Sequence, residues 1–233
     1  MNYLWLVNIR ELRLVCSFGA KEVFEICKSA FQLETLSLAT TEPHNRHATP
    51  RDPLPGRDIN SALLLRAHTL KVLEFRVTGK EFFLCQLGNS KLLTCLPSLI
   101  KLEKLTTEIP LLSKFDQKDK SDTLLLSKLP PNIVSLELIE WPTFPPDMPK
   151  RLNQSRDLAD SLLKALAFMP LRGLPRLRRL HYLRSPFNPY YNNEEIDRRM
   201  SWFDRRFVVT SWASDSLQHQ MRIFYGFFWD VDK

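Results

Sequence analysis

The residues of this chain best suited to chemistry are five histidines, at 44, 47, 68, 181 and 219, and four cysteines, Cys16, Cys27, Cys85 and Cys95. A hydrolytic or metal centre needs such groups together, as a nucleophile beside a base or as ligands at short spacings around one ion. They are not so grouped. No CxxC pair occurs, His44 and His47 stand three apart with no third ligand nearby, and no histidine has an evident Cys or Ser partner. GxSxG, HExxH and glycine-rich phosphate loops are also missing. The chain is therefore expected to be non-enzymatic, with no catalytic residue, cofactor or metal. Each cysteine falls in an apolar stretch and is expected as a reduced core thiol.

Charge is the next candidate for function. The net charge of +7 resides in residues 150–184, where nine Lys or Arg (150, 151, 156, 164, 172, 176, 178, 179 and 184) face only Asp157 and Asp160. The remainder of the chain is neutral. Such a stretch is either a solvated face or a means of attracting acidic proteins or phosphate backbones. Aromatic interleaving is thin, since Tyr182 alone accompanies Arg176, Arg178, Arg179 and Arg184, so nucleic acid is the lesser expectation.

The elements that must position these groups show themselves through a repeated phrase. In Leu33-Glu-Thr-Leu36-Ser-Leu38 the apolar gap is three residues and then two, a rhythm that neither a helix nor a strand alone produces. The same phrase recurs as Ile9-Arg-Glu-Leu12-Arg-Leu14, Leu70-Lys-Val-Leu73-Glu-Phe75 and Ile133-Val-Ser-Leu136-Glu-Leu138. Looser copies are Leu102-Glu-Lys-Leu105-Thr-Thr107 and Leu177-Arg-Arg-Leu180-His-Tyr182. Between copies, Val23, Ile26, Cys27 and Ala30 trace a helical stripe, and Leu158, Leu162, Ala165 and Leu166 trace another. Shorter helical candidates are 58–67, with Asp58 as N-cap, and 121–129, capped by Ser121 or Asp122.

A turn followed by a short strand accounts for the rhythm: the first apolar residue packs from the turn and the last two point inward from the strand. The expected fold is α/β, an irregular leucine-rich-repeat solenoid of about six repeats over 1–184, with parallel strands on a concave face and helices on a convex one. The absence of GxGxxG argues against a Rossmann sheet. Sixteen prolines against six glycines fit short, punctuated elements.

Taken with the phrases LRLVCSFGAKEVFEICKSAFQLETLSLAT and LPPNIVSLELIEWP, these copies resemble the leucine-rich repeat region of fungal F-box-type proteins over residues 9–185. The resemblance implies a curved solenoid that recruits a protein target as the substrate-recognition part of a ubiquitin ligase subunit. In that family an F-box docks the solenoid to the ligase adaptor. The first repeat here begins about eight residues from Met1, so an adaptor is expected as a partner only if an F-box lies upstream.

Two proline-rich connections, 40–58 and 140–151, are expected as surface loops; PxxP occurs at 142–145 and 146–149. Asn153-Gln-Ser155 is a sequon in form only. Residues 185–233 hold twelve of the 25 aromatics and are expected to form a C-terminal cap packed on the last repeat, with a helix over 192–207 and a strand or short apolar element over 221–229. No apolar run reaches roughly 18 residues, and no signal-like segment opens the chain. A cytoplasmic or nuclear location without membrane attachment follows as an expectation.

Alternation along the strands places Glu11, Arg13, Thr35, Ser37, Val72, Glu74, Arg76, Lys104, Thr106, Ser135, Glu137, Arg179 and His181 on the concave face. Its mixed charge suits a protein target better than a phosphate backbone. A non-catalytic protein-interaction scaffold is thus the leading expectation. Binding of nucleic acid or another anionic surface through 150–184 is the alternative.

Overall fold

The structure, a computed structural model, describes residues 6–15, 20–40, 56–77, 93–112, 126–139, 160–166, 174–183 and 208–212. Seven strands lie in it: β1 Glu11–Val15, β2 Thr35–Thr40, β3 Val72–Val77, β4 Lys104–Glu108, β5 Ser135–Ile139, β6 Arg179–Leu183 and β7 Val208–Trp212. They form one sheet in strictly sequential order, and every pairing is parallel. Each interior strand pairs only with its predecessor and successor in the chain. A doubly wound sheet reverses its strand order at a switch point, and a barrel joins first strand to last. Neither occurs, so the sheet is open.

The six copies of the phrase supply β1 to β6. Their middle residues stand opposite one another as Leu12, Leu36, Leu73, Leu105, Leu136 and Leu180, and their last residues as Leu14, Leu38, Phe75, Thr107, Leu138 and Tyr182. From β2 to β6 all of these are buried, whereas Leu12 and Leu14 on the terminal strand are only partly so. Each fully buried leucine contributes about 1.5–3 kcal/mol, and neighbouring strands share the burial.

Two backbone devices repeat with the phrase. The residue before each strand offers its carbonyl to two successive N–H groups of the next copy. Arg10 O accepts from Glu34 and Thr35 at 2.8 and 2.9 Å, Glu34 O from Lys71 and Val72, Lys71 O from Glu103 and Lys104, Glu103 O from Val134 and Ser135, and Val134 O from Arg178 and Arg179. Both lone pairs of the carbonyl are used, which fixes the register from copy to copy. The second device is a turn ahead of the first apolar residue: Ile9, Leu33, Leu102, Ile133 and Leu177 each donate their N–H to the residue three earlier, at 3.0–3.3 Å. That earlier residue is Leu6, Ala30, Leu99, Pro130 and Leu174, buried in every case. Leu70 differs, donating to Arg66 four residues back at 2.8 Å.

Helices cover the leucine face. α1, Ala20–Ser29, buries Val23, Ile26 and Cys27, with Ala30 just beyond its end. Glu22 in its first turn and Lys28 in its last match the helix dipole. α2, Gly56–Leu64, buries Ile59, Ala62 and Leu63 and packs beside α1. It starts two residues before the expected cap, so Asp58 is a helical residue and the helix runs back to the residue after Pro55. Helical backbone at 160–166 buries Leu162, Leu163, Ala165 and Leu166. Between β3 and β5 the described connecting residues include two short 3-10 turns, Leu96–Ser98 and Ile109–Leu111. Each has proline at one of its first two positions, where the missing N–H costs nothing.

β7 falls inside the segment expected as a cap. It continues the sheet, pairing in parallel with β6 from Arg179↔Val208 to Leu183↔Trp212. The helix expected over 192–207, the element over 221–229, the PxxP pairs, the sequon, His44 and His47 lie outside the described residues. Of the helix expected over 121–129, only the end is described, helical at Leu126 and turning at 127–128. Among the described residues, no helix is long and apolar enough to cross a membrane.

Candidate interaction face

Alternation leaves the second face of the sheet to the residues between the buried ones. The register sets them in rows. One row runs Glu11, Thr35, Val72, Lys104, Ser135, Arg179, Val208; the next runs Arg13, Ser37, Glu74, Thr106, Glu137, His181, Thr210. Twelve sequence-derived candidates, Glu11, Arg13, Thr35, Ser37, Glu74, Lys104, Thr106, Ser135, Glu137, Arg179, His181 and the apolar Val72, thus share one face in two adjacent rows. Arg76 belongs to a third row, opposite Ala39 of β2. The hydrophobic core cluster occupies the leucine side and includes none of these residues. Parallel sheets usually bury both faces; this one carries a polar face with both signs of charge.

The charges on it are organised in pairs. Glu74 accepts a hydrogen bond from Ser37 Oγ at 2.9 Å, and its other oxygen lies 3.8 Å from Lys104 Nζ, so it links β2, β3 and β4. Arg76 Nη2 donates to Glu137 Oε1 at 3.3 Å across the intervening β4. Both side chains are mostly buried, 27% and 20% exposed. Strand spacing of about 4.8 Å means a contact from β3 to β5 must pass over β4. On β4 Thr106 stands opposite Glu137 and is fully buried although it belongs to the polar face. Arg76 and His181 each have a further interaction besides. At the β1 end, Arg13 Nε and Glu11 Oε1 pair at 2.7 Å with both side chains exposed, a contact worth little.

Sequence reasoning overlooked Glu108. It sits on the polar face two residues after Thr106, is 4% exposed, and also has an interaction partner. Continuing the alternation by one step from Lys104 and Thr106 would have found it. Val15 and Ile139, in the same third row, were overlooked for the same reason; Val15 is an exposed hydrophobic residue on the end strand.

The basic stretch does not come together as a surface in its described part. Lys164 lies on the helical segment covering the leucine face, Arg179 lies on the polar face, and Arg176 and Arg178 precede β6 in the turn. Arg176 is 3.8 Å from Glu103, and Arg178 donates to the carbonyls of Pro175 and Leu177. Members at 150, 151, 156, 172 and 184 fall outside the described residues.

No grouping of three or more potential metal ligands occurs among the described residues. Cys27 and Cys95 are free and buried, and burial pushes each thiol up to about 12, which holds it protonated and unreactive at neutral pH. The positive charge of Arg66 opposes that shift at Cys27 without overcoming it. Cys16 and Cys85 lie outside the described residues.

No known protein family matches the chain, and no curated protein sequence matches it either.

Proposed function

We propose that this chain is an irregular leucine-rich-repeat solenoid that binds a protein target on the polar face of its sheet, without catalysis. The observation that carries the reading is the combination of an open, sequentially ordered parallel sheet with two rows of mixed-charge side chains on the face opposite the leucines. In a stack of such units the leucine side is consumed by neighbour-to-neighbour burial, and the other side presents a broad array of side chains on a rigid backbone. Alternating charge favours a complementary protein surface, because mixed signs reject wrong partners and fix register, while a phosphate backbone calls for one sign. The resemblance to fungal F-box-type proteins gives the reading its cellular form, a substrate-recognition role in a ubiquitin ligase.

The Arg76–Glu137 pair supplies the test. Exchanging the two residues, Arg76→Glu with Glu137→Arg, preserves an ion pair across β4 while inverting the local charge pattern. Proximity labelling in cells with the wild-type chain recovers specific protein partners on this reading. The exchanged chain, folded to the same thermal stability, loses at least one of them. Retention of every partner by the exchanged chain overturns the assignment of the face.

A further inference from the structure

A second surface lies away from the polar face, on the edge where the turns lead into β1 to β4. There Arg10, Phe31, Glu34, His68, Lys71 and Lys101 line an open depression of about 380 Å³. Three full positive charges meet there and Glu34 is the single acid lining it. Glu34 is already engaged: its Oε2 accepts from Lys71 Nζ at 2.9 Å, and that bond, with the charges of Lys71 and Arg10, holds its carboxyl below the usual range. Among the described residues neither Arg10 nor Lys101 forms a salt bridge, and three cations against Glu34 leave the depression a net positive charge. The next acid along this edge, Glu103, is not in the lining and lies 3.8 Å from Arg176.

Among the described residues, Phe31 is the one apolar residue lining the depression. Phe31 is 57% exposed, an unusual state for a phenyl ring, and Arg66 stacks over it at 5.5 Å from the ring centre. Arg66 also donates to Ala30 O at 3.3 Å, which ties the ring's neighbourhood to the backbone. An exposed aromatic beside two cations outside any salt bridge fits a ligand that carries negative charge and one apolar group together.

We infer that this edge is a docking site for a short acidic segment of a partner protein, its carboxylates set against Arg10 and Lys101 and one apolar side chain against Phe31. The site is separate from the polar face, so losing one leaves the other intact, and the Arg76/Glu137 exchange and the variants below distinguish them. Its size suits a few residues of extended peptide rather than a folded domain.

Fluorescence anisotropy on the full chain tests it, using a dye-labelled peptide of Asp and Glu around a single leucine, the same peptide with Asn and Gln, and a single-stranded oligonucleotide of equal charge. The acidic peptide binds, more weakly as salt rises, and Lys101→Glu or Arg10→Glu reduces affinity by about tenfold or more. Phe31→Ala reduces it severalfold. Lys21→Glu, an equal charge change at the exposed start of α1, leaves it within about twofold. Circular dichroism confirms that each exposed-site variant is folded. The inference is overturned if the acidic peptide does not bind, if the neutral peptide binds equally well, if Lys21→Glu weakens binding as much as Lys101→Glu, or if the oligonucleotide binds more tightly and responds to the same variants.

Discussion

Arg76 of β3 and Glu137 of β5 meet at 3.3 Å although β4 runs between their strands. Thr106, fully buried, stands on β4 between Glu74 and Glu137 in one row. Removing either charge takes one partner away from a mostly buried ion pair. Arg76→Ala and Glu137→Ala are each expected to cost about 1–3 kcal/mol in denaturant unfolding. The double variant should cost less than the sum, with a coupling of about 0.5–2 kcal/mol from the mutant cycle. Additive losses would mean that the pair does not form.

Thr107 marks a different irregularity. It occupies the last position of the phrase, opposite Phe75 and Leu138 on the leucine face, is fully buried, and its Oγ1 has no hydrogen-bond partner. A hydroxyl left in an apolar column forfeits its solvation, whereas valine has nearly the same shape and the same preference for a strand. Thr107→Val should therefore stabilise the chain by about 1–2 kcal/mol, read as a rise in the denaturant midpoint. A loss of stability would show that the hydroxyl is bonded.

The buried thiols make a prediction about pH. Cys27 and Cys95 are raised to about 12 by burial, so the folded chain holds their protons more tightly than the unfolded one. Their contribution is complete below the unfolded value near 9 and is lost as pH climbs toward 12. Glu34 acts in the opposite sense: its carboxyl is lowered, so its contribution is present above the ordinary value of 4.5 and disappears on acidification through the folded value. Stability measured against pH should thus fall at both ends. With Cys16 and Cys85 changed to serine, a thiol reagent should label nothing at neutral pH until denaturant is added. Rapid labelling of the native chain would contradict the burial of both thiols.

Much of the fold was legible because the phrase records burial directly. The three-then-two spacing of Leu33, Leu36 and Leu38 encodes a turn residue followed by two inward strand residues, and the six copies fall on six neighbouring strands in register. Alternation then placed Ser37, Glu74 and Glu137 on one face without further information. The earlier turn position escaped notice because Leu6, Ala30, Leu99, Pro130 and Leu174 share burial in a tight turn rather than one side-chain type. The Arg76–Glu137 contact was equally hidden, since alternation gives the face a side chain occupies but not a reach across two strand spacings. β7 was missed because Val208–Trp212 bears none of the leucine phrase and is joined to the sheet by backbone pairing with β6. The depression at Arg10, Phe31, Lys71 and Lys101 gathers residues from four separate turns, and only the stacking of those turns brings them together.

The central claim is that each copy of the phrase is one rung of a single parallel ladder. Spin labels at Glu11, Lys104 and Arg179, all in one row, measure it most directly by pulsed electron resonance in the Cys16 and Cys85 serine background. Lys104 is three strand steps from Glu11 and Arg179 is five, so at about 4.8 Å per step the backbone separations should be about 14 and 24 Å, increasing in that order with narrow distributions. A Glu11–Arg179 distance equal to or shorter than the Glu11–Lys104 distance would contradict the ladder.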